Sequence, residues 1–279
     1  MKLATARIDG TTRAVRVDRD TLVDLGAADL GTVLANPDWR EGAQAAQGPV
    51  YPAAGVTYAT LIAAPSKVLC VGLNYKTHIQ EMGRDLPEYP TLFCKFADTL
   101  LGATDDIVRP AETEAFDWEA ELAVVIGTTV RRATQEQAVA AIAGFTVLND
   151  ITCRDWQFRT REWLQGKNWE ATTPVGPYLV TPDELPGGVR PDLAIRLTVD
   201  GEQMQSDSTS DLLFDPVALV QYISTMITLR PGDIIATGTP GGVGHARKPA
   251  RYLLGGETVV AEIESIGILT NTVVKDGAV

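Results

Sequence analysis

Histidine is scarce in this chain of 279 residues, which contains only His78 and His245. A reaction that needs a proton carrier near neutral pH must use one of these two side chains, or a carboxylate or lysine with a shifted pKa. Cysteine is scarce as well, since Cys70, Cys94 and Cys153 are far apart and form no Cys-x-x-Cys pair. This pattern disfavours a disulfide framework and a structural zinc site, and it predicts reduced thiols in a cytoplasmic protein.

Basic residues and long apolar runs are also in short supply. The chain has 24 Lys and Arg against 36 Asp and Glu, a net charge of −12, so neither nucleic acid nor an anionic membrane is expected as a partner. No segment approaches the ~20 apolar residues of a membrane span, and charge comes too early for a signal peptide. The P-loop, the G-x-S-x-G elbow and the H-E-x-x-H motif are all absent.

Strand-like segments outnumber helical ones. Alternation on both sides of Asp9-Gly10 predicts an N-terminal β-hairpin. Helices are predicted over 135–143, over 152–163, and from the N-cap pair Asp215-Pro216 onward. Because strands and helices do not alternate regularly, we predict an α+β fold that is mainly β. A change in composition near residue 65 divides it into a small β-rich domain, 1–65, and a second domain, 66–279.

The sharpest local pattern is the segment 117–126, which reads Asp-Trp-Glu-Ala-Glu-Leu-Ala-Val-Val-Ile. In a strand, Glu119 and Glu121 lie on the same side, and apolar residues follow on both sides, as in a strand covered on both faces. Two adjacent buried carboxylates repel each other and lose hydration, and a divalent cation is the simplest compensation. The alternative is a solvated strand edge with two exposed glutamates, and the spacing alone does not decide between them.

A second apolar strand, 145–150, ends in Asp150. If a helix starts there, Asp150, Arg154, Gln157 and Arg161 share one face, which suits an anion held beside a metal. The alternative is a helix N-cap followed by surface arginines. Carboxylate ligands favour hard cations such as Mg²⁺ or Mn²⁺ over zinc.

Several segments, in order over roughly residues 66–275, together resemble the fumarylacetoacetate hydrolase family. They are Val71-Gly72-Leu73-Asn74-Tyr75 with His78 and Glu81, the 117–122 strand, Asn149-Asp150 with Arg154 and Gln157, Gly166-Lys167 before Pro174-Val175-Gly176-Pro177, and the loop 232–244. After Lys167 the chain reads Asn168-Trp169-Glu170, which departs from the serine and bulky residue of the family's common form.

The resemblance implies a mixed β-roll catalytic domain that usually forms a homodimer. It implies a bound Mg²⁺, with Mn²⁺ or Ca²⁺ as substitutes, and a small-molecule 2-oxo acid substrate. Its implied site residues are the metal ligands Glu119, Glu121 and Asp150, the catalytic residues His78, Glu81 and Lys167, with the first two on a mobile lid, and the substrate contacts Arg154, Gln157 and Thr239.

From these roles we expect a hydrolase that cleaves a C–C bond in acylpyruvates or related β-diketo acids and releases pyruvate. His78, oriented by Glu81, would activate the attacking water. The alternatives are an oxaloacetate-type decarboxylase, a hydratase or isomerase of unsaturated 2-oxo acids, and a binding protein with a dead site. His245 is interpreted as incidental, and Lys95 is a weaker candidate for the pocket.

Overall fold

The computed structural model describes residues 1–81, 83 and 85–277, without the side chain of Glu81. Its strands are β1 Lys2–Ile8, β2 Thr11–Asp18, β3 Thr21–Asp24, β4 Val50–Pro52, β5 Thr57–Tyr58, β6 Val68–Gly72, β7 Thr91–Lys95, β8 Leu100–Leu101, β9 Ile107–Arg109, β10 Phe116–Asp117, β11 Ala120–Ile126, β12 Ile142–Asn149, β13 Thr152–Cys153, β14 Thr173–Val180, β15 Ala194–Val199, β16 Glu202–Ser208, β17 Ile234–Ala236, β18 Thr258–Ile263 and β19 Gly267–Lys275. Its α-helices are α1 Leu30–Leu34, α2 Trp39–Ala45, α3 Lys76–Glu81, α4 Gln135–Ala141, α5 Arg154–Gln157, α6 Leu164–Lys167 and α7 Pro216–Met226.

Most strands belong to one large mixed sheet. Its order is β4-β3-β2-β1-β14-β12-β11-β17-β6-β7, with β5 beside β1 and β8 beside β14. Pairing along this order is antiparallel except between β17 and β6. A second sheet has the order β16-β15-β18-β19-β9, and β10 pairs with β13. The predicted α+β, mainly β fold is confirmed.

The N-terminal hairpin forms where it was predicted. Asp9 and Gly10 both adopt positive φ, 50° and 75°, as a two-residue turn between twisted strands requires. The first strand, β1, then pairs with β14 in the register Leu3↔Leu179. The large sheet therefore runs from the first 65 residues into the rest of the chain, and the domain division at residue 65 stays a prediction.

The strand β11 lies at the centre of the molecule, and all of its residues are buried. Leu122 and Val124 pack into one apolar core, whereas Ala123 and Val125 pack into another on the opposite face. Successive side chains of the strand thus pack alternately into two cores, as predicted from the apolar residues on both of its faces. The solvated-edge alternative is wrong, because the side chains of Glu119 and Glu121 are buried.

The helix predicted over 152–163 is wrong in its length. Cys153 belongs to a strand, α5 stops at Gln157, and Arg161 is exposed rather than aligned with Asp150. The chain turns back after α5, so that α6 packs against it. A Cβ at Gly166 would lie 2.5 Å from the Gln157 Cβ, so only glycine permits this approach. Local periodicity does not report such a reversal.

The longest helix, α7, begins as predicted, with Asp215 accepting hydrogen bonds from the N–H groups of Val217 and Ala218. It has 11 residues. In the part of the chain that the structure describes, no helix has the length and apolar character needed to cross a bilayer.

Candidate active site

Three buried carboxylates meet where β11 begins and β12 ends. Antiparallel pairing of Ala120 with Asn149 brings the two strand ends together, and the Asp150 N–H donates to the Glu119 carbonyl over 2.8 Å. Glu119, Glu121 and Asp150 each offer an oxygen within 4.8 Å of the others. Their relative exposures are only 7%, 2% and 0%, so water does little to screen their repulsion.

Two buried lysines neutralise part of this charge. Lys167 Nζ lies 2.7 Å from both Glu119 Oε2 and Asp150 Oδ2, and Lys95 Nζ lies 2.7 Å from Asp150 Oδ1. Burial by itself would raise the pKa of Asp150, but Lys167 and Lys95 lower it to about 2. The pKa of Lys167 is raised despite burial, because Asp150 and Glu119 favour its charged form. Both partners are therefore charged at neutral pH.

Arg154 joins a fourth buried carboxylate to the group. Its guanidinium donates through Nε to Asp117 over 2.8 Å and lies 2.7 Å from Glu119 through Nη2. Its Nη1 donates to Gln157 Oε1 over 3.0 Å. With every guanidinium nitrogen held in this way, Arg154 is a fixed positive charge at one side of the cluster.

The charges of this carboxylate cluster do not balance. Asp117, Glu119, Glu121 and Asp150 bring four negative charges, whereas Lys95, Arg154 and Lys167 bring three positive ones. The surplus falls on Glu121, whose carboxylate accepts a hydrogen bond from the Gly238 N–H over 2.7 Å. Burial, then Asp150 and Glu119, raise the pKa of Glu121 well above its usual value. Three converging hard oxygen donors with one unbalanced buried charge fit a divalent cation such as Mg²⁺.

The helix α3 places His78 over this cluster. Asp211 accepts hydrogen bonds from the backbone N–H and the hydroxyl of Thr77, and the Asn74 amide donates to the carbonyls of Phe214 and Thr237. His78 is buried and lines the same cleft as the glutamates. Glu81, its predicted partner, ends α3, and its side chain lies outside the described residues.

The cleft has a volume of about 140 Å³ and opens to solvent. Polar and charged side chains cover part of it, namely His78, Glu119, Glu121, Arg154, Gln157, Lys167, Thr239 and His245. The Thr239 hydroxyl donates to the Ala120 carbonyl and accepts from the Gln205 amide, so it is held against β11. Asp150 lies directly beneath this lining, bound to Lys167.

Aromatic rings form another wall of the cleft. Phe93 and Trp163 make an edge-to-face contact at 5.5 Å, and Lys167 Nζ lies 4.9 Å from the Phe93 centroid. Phe158 packs on the His245 ring at 5.2 Å. A Cβ at Gly72 would lie 2.3 Å from the Trp163 ring, so glycine there makes room for the indole. The cleft thus combines a charged floor with an apolar wall.

Comparison with known proteins agrees with this architecture. Residues 67–274 match the fumarylacetoacetate (FAA) hydrolase C-terminal family. The chain belongs to the fumarylacetoacetate hydrolase family. The mitochondrial oxaloacetate tautomerase Fahd2a of Rattus norvegicus is 42% identical over 233 residues, which are 83% of this chain and 74% of the rat protein.

Two solved structures extend the comparison to the whole fold. The fumarylacetoacetate hydrolase of Exiguobacterium antarcticum superposes with a TM-score of 0.87 at 34% identity, and the match covers 99% of each chain. The maleylpyruvate hydrolase of Sphingobium sp. SYK-6 superposes with a TM-score of 0.81 at 29% identity, over 99% of this chain and 100% of the other. The family predicted from the motifs is therefore confirmed.

The structure of this family member brings most of the predicted site residues to one cleft. The residues so placed are His78, Glu119, Glu121, Asp150, Arg154, Gln157, Lys167 and Thr239. Glu81 is the exception, because its side chain is not described. The carboxylates can bind a metal, as predicted for the family. The role of each residue stays a prediction.

Sequence reasoning gave too little weight to three residues. Lys95 follows three apolar residues at the end of β7, and it pairs with Asp150. Asp117 stands at the head of the glutamate strand and holds Arg154. His245, interpreted as incidental, lies in the cleft because the loop after β17 returns there. No local signal in the sequence reveals that return.

Proposed function

We propose that this protein is a metal-dependent enzyme that moves a proton at the carbon beside the carbonyl of a 2-oxo acid. Keto–enol tautomerisation of oxaloacetate is the first reaction to test. The observation that carries the proposal is the buried carboxylate cluster, one charge in excess, in the same cleft as His78. The 42% identical relative is an oxaloacetate tautomerase, which supports the choice of reaction.

The side chains of the cleft divide the work of such a reaction. Glu119, Glu121 and Asp150 would hold the cation, which supplies Lewis-acid stabilisation of the enolate oxygen when bound. His78 would take the proton from C3, so that the C–H electron pair becomes the C2=C3 double bond and the C2=O pair moves onto the oxygen. Protonation of that oxygen by water then gives the enol, and the reverse steps return a proton to C3. General-base help of this kind contributes about 10²–10⁴ in rate.

Lys167 and Arg154 would complete the electrostatic environment. Both are held by carboxylates at 2.7–2.8 Å, so neither has to reorganise when negative charge develops on the substrate. Because they are buried, their effect on a nearby anion is stronger than that of surface cations. The amide of Gln157 and the hydroxyl of Thr239 would orient the substrate's oxygens.

The experiment compares the wild-type protein and His78→Ala, both loaded with Mg²⁺, on oxaloacetate. The enol absorbance is followed, and CO₂ is measured to detect decarboxylation. We expect the wild type to accelerate tautomerisation and His78→Ala to lose about 10²–10⁴ of that acceleration. Thermal shift with Mg²⁺ controls for the fold and the metal site. If the wild type with Mg²⁺ or Mn²⁺ did not accelerate oxaloacetate tautomerisation, the proposal would be refuted.

A second candidate is the hydrolysis of acylpyruvates. The aromatic wall of Phe93, Phe158 and Trp163 favours it, because an apolar acyl group would be accommodated there. Two structural neighbours are hydrolases, which also supports it. Incorporation of ¹⁸O from water into the released acid distinguishes this reaction from tautomerisation. A panel of acylpyruvates that yields no pyruvate would refute it.

We infer a cytoplasmic homodimer from the sequence, whereas the name of the rat relative places that protein in mitochondria. Cell fractionation tests the location. Sedimentation velocity tests the assembly, and a particle of one chain mass at micromolar concentration would contradict the dimer.

A further inference from the structure

The loop after β17 fixes His245 beside the carboxylate cluster. The His245 N–H donates to Asp117 Oδ2 over 3.0 Å, and the Gly244 N–H donates to Asp117 Oδ1 over 2.7 Å. Asp117 is fully buried and also binds Arg154. A Cβ at Gly244 would lie 1.9 Å from the Arg251 carbonyl, so the loop packs tightly here. The backbone of His245 is therefore held relative to the cluster.

The side chain of His245 is held as well. Its Nδ1 lies 2.8 Å from the Tyr252 hydroxyl, and its ring packs against Phe158 at 5.2 Å with a tilt of 36°. Among the described residues, none hydrogen-bonds Nε2. Since the imidazole lines the cleft and is anchored at Nδ1, Nε2 is the polar atom that it offers to a bound molecule.

The charged groups at the floor of the cleft are already paired, which leaves a role for Nε2 of His245 as a hydrogen-bond donor. Arg154 is paired with Asp117 and Glu119 and donates to Gln157, and Lys167 is shared between two carboxylates. A substrate whose 2-oxo acid end lies at the cluster needs a further donor for any second carboxylate. Arg154 and Lys167 are already paired with the protein's own carboxylates, which favours a donor from another wall of the cleft.

The Tyr252 contact suits His245 to this task. When an anionic oxygen lies at Nε2, the imidazole takes the Nε2–H tautomer and the Tyr252 hydroxyl donates to Nδ1. Burial and the charge of Arg154 lower the pKa of His245, while Asp117 acts in the opposite direction. The neutral ring is thus a hydrogen-bond donor at neutral pH. Phe158 packs against one face of the ring.

We propose that His245 is a specificity-determining residue that donates from Nε2 to the second carboxylate of a 2-oxo dicarboxylic acid, with Tyr252 fixing its tautomer. The inference rests on the proposed function in one respect, because it takes the 2-oxo acid end to lie at the carboxylate cluster. The hydrogen bond from His245 would favour dicarboxylic substrates, such as oxaloacetate, over monocarboxylic ones with the same 2-oxo acid end.

The test compares oxaloacetate with pyruvate, which lacks the second carboxylate. Affinities for both are measured by calorimetry on Mg²⁺-loaded wild type, His245→Phe and Tyr252→Phe. His245→Phe keeps an aromatic ring against Phe158 but removes the donor. We expect it to bind oxaloacetate about 10–100-fold more weakly, the range for one hydrogen bond to a charged group. Pyruvate affinity should stay within about twofold, and Tyr252→Phe should show a smaller loss for oxaloacetate alone.

A third variant, His245→Gln, tests the donor without the aromatic ring and controls for a folding defect. It retains an N–H donor, so it should recover part of the oxaloacetate affinity. Where turnover is measured, the variants should change KM rather than kcat. Unchanged oxaloacetate binding in His245→Phe would overturn the inference, as would equal losses for both acids. Selective loss in a protein whose wild type turns over no 2-oxo acid would support the inference and refute the proposed function.

Discussion

Replacing Glu121 with glutamine should stabilise the metal-free protein. Glu121 is the carboxyl group whose ionisation would give the carboxylate cluster its surplus charge, and it accepts one hydrogen bond from the Gly238 N–H. Glutamine has nearly the same shape and keeps an oxygen acceptor for that bond, but it brings no charge. Most substitutions of buried residues destabilise proteins, so an increase in stability is a distinctive expectation.

The size of the effect follows from the raised pKa of Glu121, whose main cause is burial. A carboxyl group that stays protonated in the folded protein binds more protons than in the unfolded chain, so its contribution to stability falls as pH rises. The penalty is absent below the unfolded pKa of 4.5 and grows above it. At pH 7.5 it reaches at most about 4 kcal/mol, from three pH units at about 1.4 kcal/mol each.

The assay is thermal and chemical unfolding in EDTA between pH 5.5 and 8.5. We expect Glu121→Gln to unfold at a higher temperature than wild type, on the order of 5–10 °C at pH 7.5, with a gap that narrows toward pH 5.5. The exposed Glu114 offers a matched control, because Glu114→Gln makes the same chemical change away from the cluster. It should leave the midpoint nearly unchanged.

Magnesium should narrow this stability gap. A cation at 100 times its dissociation constant stabilises the wild type by about 2.7 kcal/mol, whereas Glu121→Gln lacks one ligand and should gain little. The reasoning would be refuted if Glu121→Gln were less stable than wild type in EDTA. It would also be refuted by a stability gap that does not change with pH, or by equal stabilisation of both proteins by Mg²⁺.

Two further predictions concern buried lysine and cysteine. Lys167→Met should destabilise the metal-free protein by about 3–5 kcal/mol, because two buried carboxylates lose their partner, and Mg²⁺ should restore part of that stability. As a control, Lys67→Met breaks the ion pair with the buried Asp233, away from the carboxylate cluster, and Mg²⁺ should restore no stability to it in unfolding assays. Equal restoration of both variants by Mg²⁺ would contradict the charge argument. In native protein at pH 8, a thiol reagent should modify Cys94 rapidly. Burial raises the pKa of Cys153 to about 12 and that of Cys70 well above 9, so fast modification of either would be contrary to expectation.

Local sequence alone predicted the elements whose interactions are near in the chain. The Asp9-Gly10 turn and the Asp215 cap depend on residues within a few positions, and both form as expected. The alternation that places Glu119 and Glu121 on one side of a strand is also local, with a period of two residues. Family motifs extended this reach, because they carried long-range information that spacing does not contain.

Only the tertiary structure decided how the charges of the site are paired. Lys95 and Asp150 are 55 positions apart, and their contact depends on how β7 and β12 are placed in the sheet. The chain reversal after Gln157 brings Lys167 to the same carboxylate, where periodicity had predicted a continuous helix. The return of the last loop likewise places His245 in the cleft. The scarcity of histidine restricted the candidates to two, but strand order and loop packing, which join distant residues, place both in the same site.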